Sequence, residues 1–443
     1  MRKICKMLKK KLPLLAVLIL LCQFSFSQYL MDMVDTTKDM GKGILGLYNR
    51  LDKIRLTGYI QPQFQVAESK GSKNFSGGDF ATASSSRFML RRARVRFDYI
   101  HFPKTPHLPS LQFVFQFDAT ERGVNVRDVW GRIFENKWQL FSFTTGLFAR
   151  PFSYELNLSS GDRESPERGR MSQILMKTER DLGAMVSFDP RKKDSKLKFV
   201  KIDLGVFNGP GLSATTDYDS HKDIIGRIAV KPQYLNASKK IILSAAASVL
   251  YGGLNQNTKY IYALQSAGGV KNFVVDSSAS NINQIAPRHY YGADAQLKIK
   301  NKVGFTEFRA EYITGKQTAS ATSSETPGNL FTATDGYYIR KFNGAYFYFL
   351  QHLGSIRHQI GIKYDWYDPN TDVSGDETGK AGTNINAANI KYSTLGFGYI
   401  YYVTDNLKLV LWYDKITNEK TQLTGYTSDI KDNVFTCRIQ FRF

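Results

Sequence analysis

Arginines at alternate positions are the first feature of this sequence that could do chemistry. The segment RRARVRF, residues 91–97, places Arg92, Arg94 and Arg96 two residues apart, with apolar side chains between them. Side chains two apart share a face in a β-strand but not in a helix. A guanidinium group stays charged and offers forked donors that match oxyanions. The spacing therefore predicts a strand with one face that can guide anions and one apolar face.

A second basic cluster follows in a segment of about thirty residues between two predicted strands, which is too long for a simple connection. The segment also carries the acidic residues Glu155, Glu164, Glu167 and Glu179. Ion pairing with such neighbours is an equally good interpretation for Arg168, Arg170 and Arg180. For the alternating row we favour the anion interpretation, because no equally dense acidic strand is apparent. The candidate anion-binding residues are Arg92, Arg94, Arg96, Arg150, Arg163, Arg168, Arg170, Lys177 and Arg180.

The amino terminus indicates which compartment this strand occupies. Residues 1–11 carry six basic residues and no acid, and an apolar run and the small residues Ser25 and Ser27 follow. This pattern predicts a signal peptide, residues 1–27, cleaved before Gln28. Export argues against a nucleic acid as the partner of the arginines. The mature chain keeps a net charge of +15, which suggests small anions or lipopolysaccharide phosphates as partners.

The rest of the chain has the pattern of an outer-membrane barrel. The mature chain has no second apolar stretch long enough for a membrane helix, and the whole chain holds 25 Tyr and 30 Phe. Residues 28–53 read as a periplasmic lead-in. Residues 54–443 alternate polar and apolar positions, and short turns alternate with long loops. We predict an all-β transmembrane antiparallel barrel of about sixteen strands with an inward third loop. A soluble multi-sheet protein would need neither feature.

Several motifs together resemble a known family, the phosphate-selective porins O and P of the outer membrane. They are RRAR at 91–94, Asp118, Gly146 with Arg150-Pro151-Phe152 and Glu155, Glu167-Arg168, and Arg180-Asp181-Leu182-Gly183. The resemblance implies a homotrimer of sixteen-stranded barrels with an arginine ladder that guides anions past the third loop. The final strand ending at Phe443 also resembles the signal that the barrel assembly machinery reads.

We therefore predict a porin for passive diffusion of anions, with phosphate or a similar oxyanion preferred. One alternative is a weakly selective general or oligosaccharide porin, in which Phe152 and Tyr154 would form an aromatic slide. Another is a structural barrel that its loops plug and that serves a partner complex. No enzyme is predicted, because the common catalytic motifs are absent, and neither a cofactor nor a metal is expected. The Asp-rich stretch 368–377 could bind calcium but is more typical of a solvated turn.

Overall fold

Sixteen strands close into one antiparallel barrel in this computed structural model, which describes residues 54–103, 108–214 and 216–443. The predicted signal peptide and lead-in lie outside the described residues. The barrel strands are β1 (Ile54–Ala67), β2 (Ser86–His101), β3 (Leu111–Thr120), β4 (Gly123–Phe134), β5 (Phe141–Ala149), β6 (Arg180–Phe188), β7 (Val200–Phe207), β8 (Asp223–Tyr234), β9 (Ile241–Asn255), β12 (Ile285–Asn301), β13 (Gly304–Ala319), β14 (Tyr337–Leu353), β15 (Ser355–Asp368), β16 (Tyr392–Thr404), β17 (Leu407–Asn418) and β18 (Val434–Arg442). The strands β10 (Ile261–Ala267) and β11 (Val270–Asp276) form a hairpin, and β10 pairs in parallel with the start of β14. β1 pairs with both β2 and β18, which closes the barrel and confirms the predicted fold class.

The outward side chains of the wall are mostly apolar, and the inward ones are mostly polar except where they pack against the third loop. On β2, Arg92 and Arg94 are buried at 7% and 5% exposure, whereas Phe97 is 41% exposed. The predicted register of this strand is therefore correct. A slip by one residue would turn the arginines toward lipid, at roughly 2–4 kcal/mol each near the midplane. Within the described residues, no helix is both long and apolar enough to cross a membrane.

The two ends of the barrel differ in the length of their connections. One end holds short turns, such as 302–303 and 405–406, together with the start of β1 and the end of β18. The other end holds nearly all of the long connections. One of these, residues 256–284, contains the β10–β11 hairpin. Its turn is Gly268-Gly269, both with positive φ, a conformation that glycine adopts without strain.

Candidate functional site

The third loop, residues 150–179, fills one side of the lumen. It forms two short helices, α1 (Tyr154–Asn157) and α2 (Arg170–Leu175). Its apolar side chains pack against inward side chains of β5–β9 and β12–β15, so this part of the loop is a small core inside the barrel. The members are Phe148, Phe152, Leu156, Met171, Ile174, Leu175, Met176, Met185, Phe207, Ile225, Leu250, Tyr290, Ile313, Phe342 and Tyr367. The predicted inward third loop is confirmed, but Phe152 is only 1% exposed and cannot serve as part of a sugar slide.

Polar contacts fix the same loop to the same wall. Glu311 of β13 accepts hydrogen bonds from the backbone N–H groups of Tyr154 and Glu155, at 3.3 and 3.2 Å. Arg309, also on β13, donates to Glu164 of the loop at 2.7 Å. A carboxylate at the start of α1 satisfies N–H groups that the helix itself leaves unpaired. The loop is thus anchored along β13 rather than suspended in the pore.

Glu167, at the tip of the loop, is shared by three arginines from two strands. Arg92 donates to both of its carboxylate oxygens, at 2.8 and 3.1 Å, and Arg91 also donates to both, at 2.8 and 3.1 Å. Arg438 of β18 adds a contact of 2.8 Å. Burial would raise the pKa of the Glu167 carboxyl, but the three guanidinium groups hold it well below its usual range. The loop tip is therefore tied to the arginine row by charge.

The other two arginines of the row are also ion-paired. Arg94 donates to Asp118 at 2.9 Å and to the hydroxyl of Tyr59 at 2.6 Å. Arg96 donates to both oxygens of Asp98, at 2.6 and 2.8 Å. No equally dense acidic strand lies beside this row in the described chain, but single carboxylates neutralise each of its members. Asp118 lies directly opposite Arg94 on β3, and Asp98 shares the inner face of β2 with Arg96.

A second shared carboxylate lies where the third loop leaves the lumen. Glu179 is 2.7 Å from Arg127 and 2.9 Å from Arg168, and 3.7 Å from Arg180. Arg180 also donates to Asp128 of β4 at 3.2 Å. The sequence left ion pairing and a place in the pore as equal interpretations for Arg168 and Arg180. Arg168 is ion-paired with Glu179. Arg180 is ion-paired and also lines the inner cavity described below.

Arg150 has a structural position instead of a pore position. It donates to the backbone carbonyl of Gly209 at 2.8 Å and to that of Thr178, and lies 3.8 Å from Asp181. It is 4% exposed and is not among the side chains that line the cavity. The prediction that Arg150 belongs to the pore wall is therefore wrong. Its carbonyl contacts join the two ends of the third loop to the segment after β7.

Arg170 and Lys177 face a different space, nearer the long-loop end. The guanidinium of Arg170 lies 3.4 Å from the ring centroid of Tyr392 and 4.8 Å from that of Phe75. Lys177 pairs with Glu325 at 3.0 Å. Both line a cavity of about 720 Å³, which we call the outer cavity. Its other basic side chains are Lys73, Arg91 and Arg122, against the acidic Asp79 and Glu325.

A cavity of about 710 Å³, which we call the inner cavity, lies between the third loop and the wall of β1–β8. Its basic side chains outnumber its acidic side chains by three to one. The basic ones are Arg92, Arg94, Arg96, Arg132, Arg163, Arg180, Lys201, Arg227 and Arg442, and the acidic ones are Asp128, Glu179 and Asp203. Carboxylates within ion-pair distance compensate seven of the nine basic side chains. A concave, partly enclosed site with an excess of one charge sign still concentrates ions of the opposite sign. The inner cavity is therefore suited to small anions.

Two arginines of the inner cavity have no carboxylate within ion-pair distance in the described part of the chain. Arg163, from the third loop, is 3% exposed, and its Nε and Nη1 have no hydrogen-bond partner there. Arg132 of β4 donates to Thr144 at 2.8 Å and lies 5.0 Å from the ring of Trp130. Buried donors are normally satisfied, so Arg163 is the strongest candidate to bind an ion. Arg132 is half-buried and has no carboxylate partner in the described chain, and it is the second candidate.

Sequence reasoning missed four basic residues of the inner cavity, namely Arg132, Lys201, Arg227 and Arg442. A signal for them was present in the alternation of the strands. Arg132, for example, stands two residues after Trp130 and four after Asp128 on β4, so it shares their inward face. Attention to dense clusters alone overlooked single arginines on several neighbouring strands.

Metal-binding chemistry finds no support in residues 54–103, 108–214 and 216–443, where no cluster of His, Cys, Asp or Glu could hold an ion. In the stretch 368–377, carboxylates serve the local turns instead. Asp368 accepts from the backbone of Asn370 at 3.1 Å, and Glu377 accepts from that of Ser374 at 2.9 Å.

The sequence matches no family model and no curated protein. Several solved structures are similar to this chain. Three of them are the outer membrane channel DcaP of Acinetobacter baumannii (12% identity, 88% of this chain and 97% of that chain, TM-score 0.49), OmpT, an outer membrane protein of Vibrio cholerae (9%, 88% and 97%, 0.44), and a porin (11%, 88% and 100%, 0.47).

The strand pairing itself defines the architecture. Sixteen antiparallel strands, closed and apolar on the outside, form the fold of an outer-membrane porin. Such a barrel is an integral outer-membrane protein, because its exposed apolar exterior is stable only in contact with lipid. The resemblance to the phosphate-selective porins stays a prediction.

Proposed function

We propose that this protein is an outer-membrane porin through which small anions diffuse passively along the arginine-rich side of the lumen. The observation that carries the proposal is the inner cavity, where nine basic side chains face three acidic ones. An anion that enters meets several weak binding sites instead of one tight site. Binding that is favourable at several sites but strong at none allows an ion both to enter and to leave.

The finer specificity that we propose is for phosphate or a similar oxyanion. Arg132 and Arg163 support it, because forked N–H donors match the geometry of tetrahedral oxyanions better than that of a spherical halide. A low-dielectric surround strengthens such contacts. We also propose that the protein forms a homotrimer and that Phe443 takes part in recognition by the barrel assembly machinery.

The test is the reversal potential of the purified protein in a planar bilayer under a KCl gradient, repeated with added phosphate. We expect anion selectivity, and we expect phosphate to reduce the chloride current. In the double variant R132Q/R163Q both effects should fall. The control K70Q/K420Q removes the same charge from exposed lysines of the long loops and should behave as the original protein. Cation selectivity, or current that phosphate does not change in the original protein, would contradict the proposal.

A second candidate function, a loop-plugged barrel that serves a partner complex, is favoured by one observation. Arg91 lines the outer cavity and Arg92 lines the inner one, and the carboxylate of Glu167 binds both. The ion pairs thus stand between the two cavities. If the protein inserts into bilayers but carries no current in any salt, this candidate replaces the porin.

A further inference from the structure

The short-turn end of the barrel carries a charge that the proposed channel does not use. Apart from residues 104–107, the turns at this end contain nine lysines and arginines against four aspartates and glutamates. The connections at the opposite end, the third loop excluded, contain ten basic residues against fourteen acidic ones. The basic excess outside the lumen is therefore at the short-turn end and not at the end where lipopolysaccharide would meet the protein.

This charge is confined to one side of the rim. All nine residues fall on the four turns 135–140, 189–199, 235–240 and 302–303, which follow one another around the barrel. We call the eight lysines of these turns the basic arc. None of them lies within ion-pair distance of a carboxylate in the described chain, although several strand lysines nearby are paired. The charge of the arc is thus available to a partner.

Exposed apolar side chains are interleaved with the basic arc. Trp138 is 57% exposed, Leu197 50% and Tyr234 52%. The ammonium of Lys137 lies 5.3 Å from the ring centroid of Trp138, and that of Lys300 lies 5.4 Å from that of Tyr234. Rings at the boundary of the hydrocarbon, with long cationic side chains reaching past them, are typical of the membrane interface.

We propose that the basic arc binds the phosphate headgroups of anionic phospholipids in the periplasmic leaflet of the outer membrane. The apolar side chains decide between this partner and a soluble polyanion, because a lipid covers rings and neutralises ammonium groups together. Lysines near a membrane surface attract anionic lipids. The inference uses only the placement of the barrel in the membrane, with its short turns toward the periplasm, and is independent of whether the lumen conducts.

The test uses the fluorescence of Trp138 in vesicles that contain brominated phosphatidylglycerol or brominated phosphatidylcholine. A W366F background leaves Trp138 as the outward-facing tryptophan, since Trp130 and Trp412 face the lumen. The turns 135–140 and 189–199 are joined by backbone hydrogen bonds, so Trp138 reports on lipid held by either turn. We expect stronger quenching by brominated phosphatidylglycerol. The variant K192Q/K193Q/K196Q/K198Q should lower this preference by at least about fivefold, the factor that one lysine contributes.

The matched control K70Q/K380Q/K420Q/K431Q loses four exposed lysines from the opposite end and should keep the full preference. Circular dichroism establishes that both variants fold before quenching is compared. Equal quenching by the two lipids in the parent protein would overturn the proposal and leave a soluble polyanion as the partner. A preference that survives loss of the four lysines would also overturn it, because the basic arc would not then be its source.

Discussion

The two walls of the lumen carry similar side chains and use them differently. The wall of β12–β17 faces the third loop, and most of its charges contact the loop or one another, as in Arg309 with Glu164 and Lys363 with Asp365. The wall of β2–β8 faces the inner cavity, and most of its basic side chains are paired too, but Arg132 has no carboxylate partner among the described residues. The cavity beside the loop thus leaves at least one inward charge available to an ion.

The largest effect that separates the two walls is expected from Arg309→Gln. Arg309 lies between Glu164 and Glu307, at 2.7 and 2.6 Å, and all three side chains are buried. Its loss leaves Glu164 without a cation and Glu307 with Lys298 alone. Removing one partner of a buried ion pair costs about 3 kcal/mol or more. We expect a clear fall in the urea midpoint of unfolding of the protein in vesicles.

Arg132→Gln is the matched variant on the cavity wall. It breaks no ion pair, so it should lower the free energy of unfolding by less than about 1 kcal/mol and leave the urea midpoint nearly unchanged. Equal losses from the two variants would remove the distinction between a structural wall and a functional wall.

Sequence alone predicted the direction of the wall side chains better than it predicted their partners inside the barrel. The register of Arg92, Arg94 and Arg96 was predictable because side-chain direction in a strand depends only on parity. The partner of Arg92 was not, because Glu167 is 75 residues away and its position depends on how the third loop packs. The β10–β11 hairpin did leave a signal in Gly268-Gly269, which the length of the surrounding loop concealed.

A smaller effect is expected where the two walls meet through the loop, at Glu167→Gln. The variant leaves Arg91, Arg92 and Arg438 without their common carboxylate. Repulsion among them destabilises the protein, but two of the three line cavities where dissolved anions can replace the carboxylate. We expect a loss of about 1–3 kcal/mol and a higher chloride-to-potassium permeability ratio.

The control for this variant is Arg92→Gln, which leaves Glu167 with two arginines and should lower the same permeability ratio slightly. If Glu167→Gln left the ratio unchanged, these arginines would not face the ion path, and the second candidate function would gain support.

The smallest expected effect concerns Asp432, a carboxylate of the connection 419–433 that belongs to neither wall. It is 2% exposed, and neither oxygen has a hydrogen-bond partner in the described chain. Burial raises its pKa from 3.8 to about 7; Arg170 opposes the shift, and Asp429 and Glu68 add to it. The folded state therefore binds a proton that the unfolded state releases between these two values, and stability falls as pH rises through that window.

Proteolysis of this connection should accelerate between pH 5 and about pH 8 in the original protein and depend less on pH in Asp432→Asn, whereas Asp429→Asn should retain most of the dependence. An identical pH profile in Asp432→Asn would assign the titration to another group.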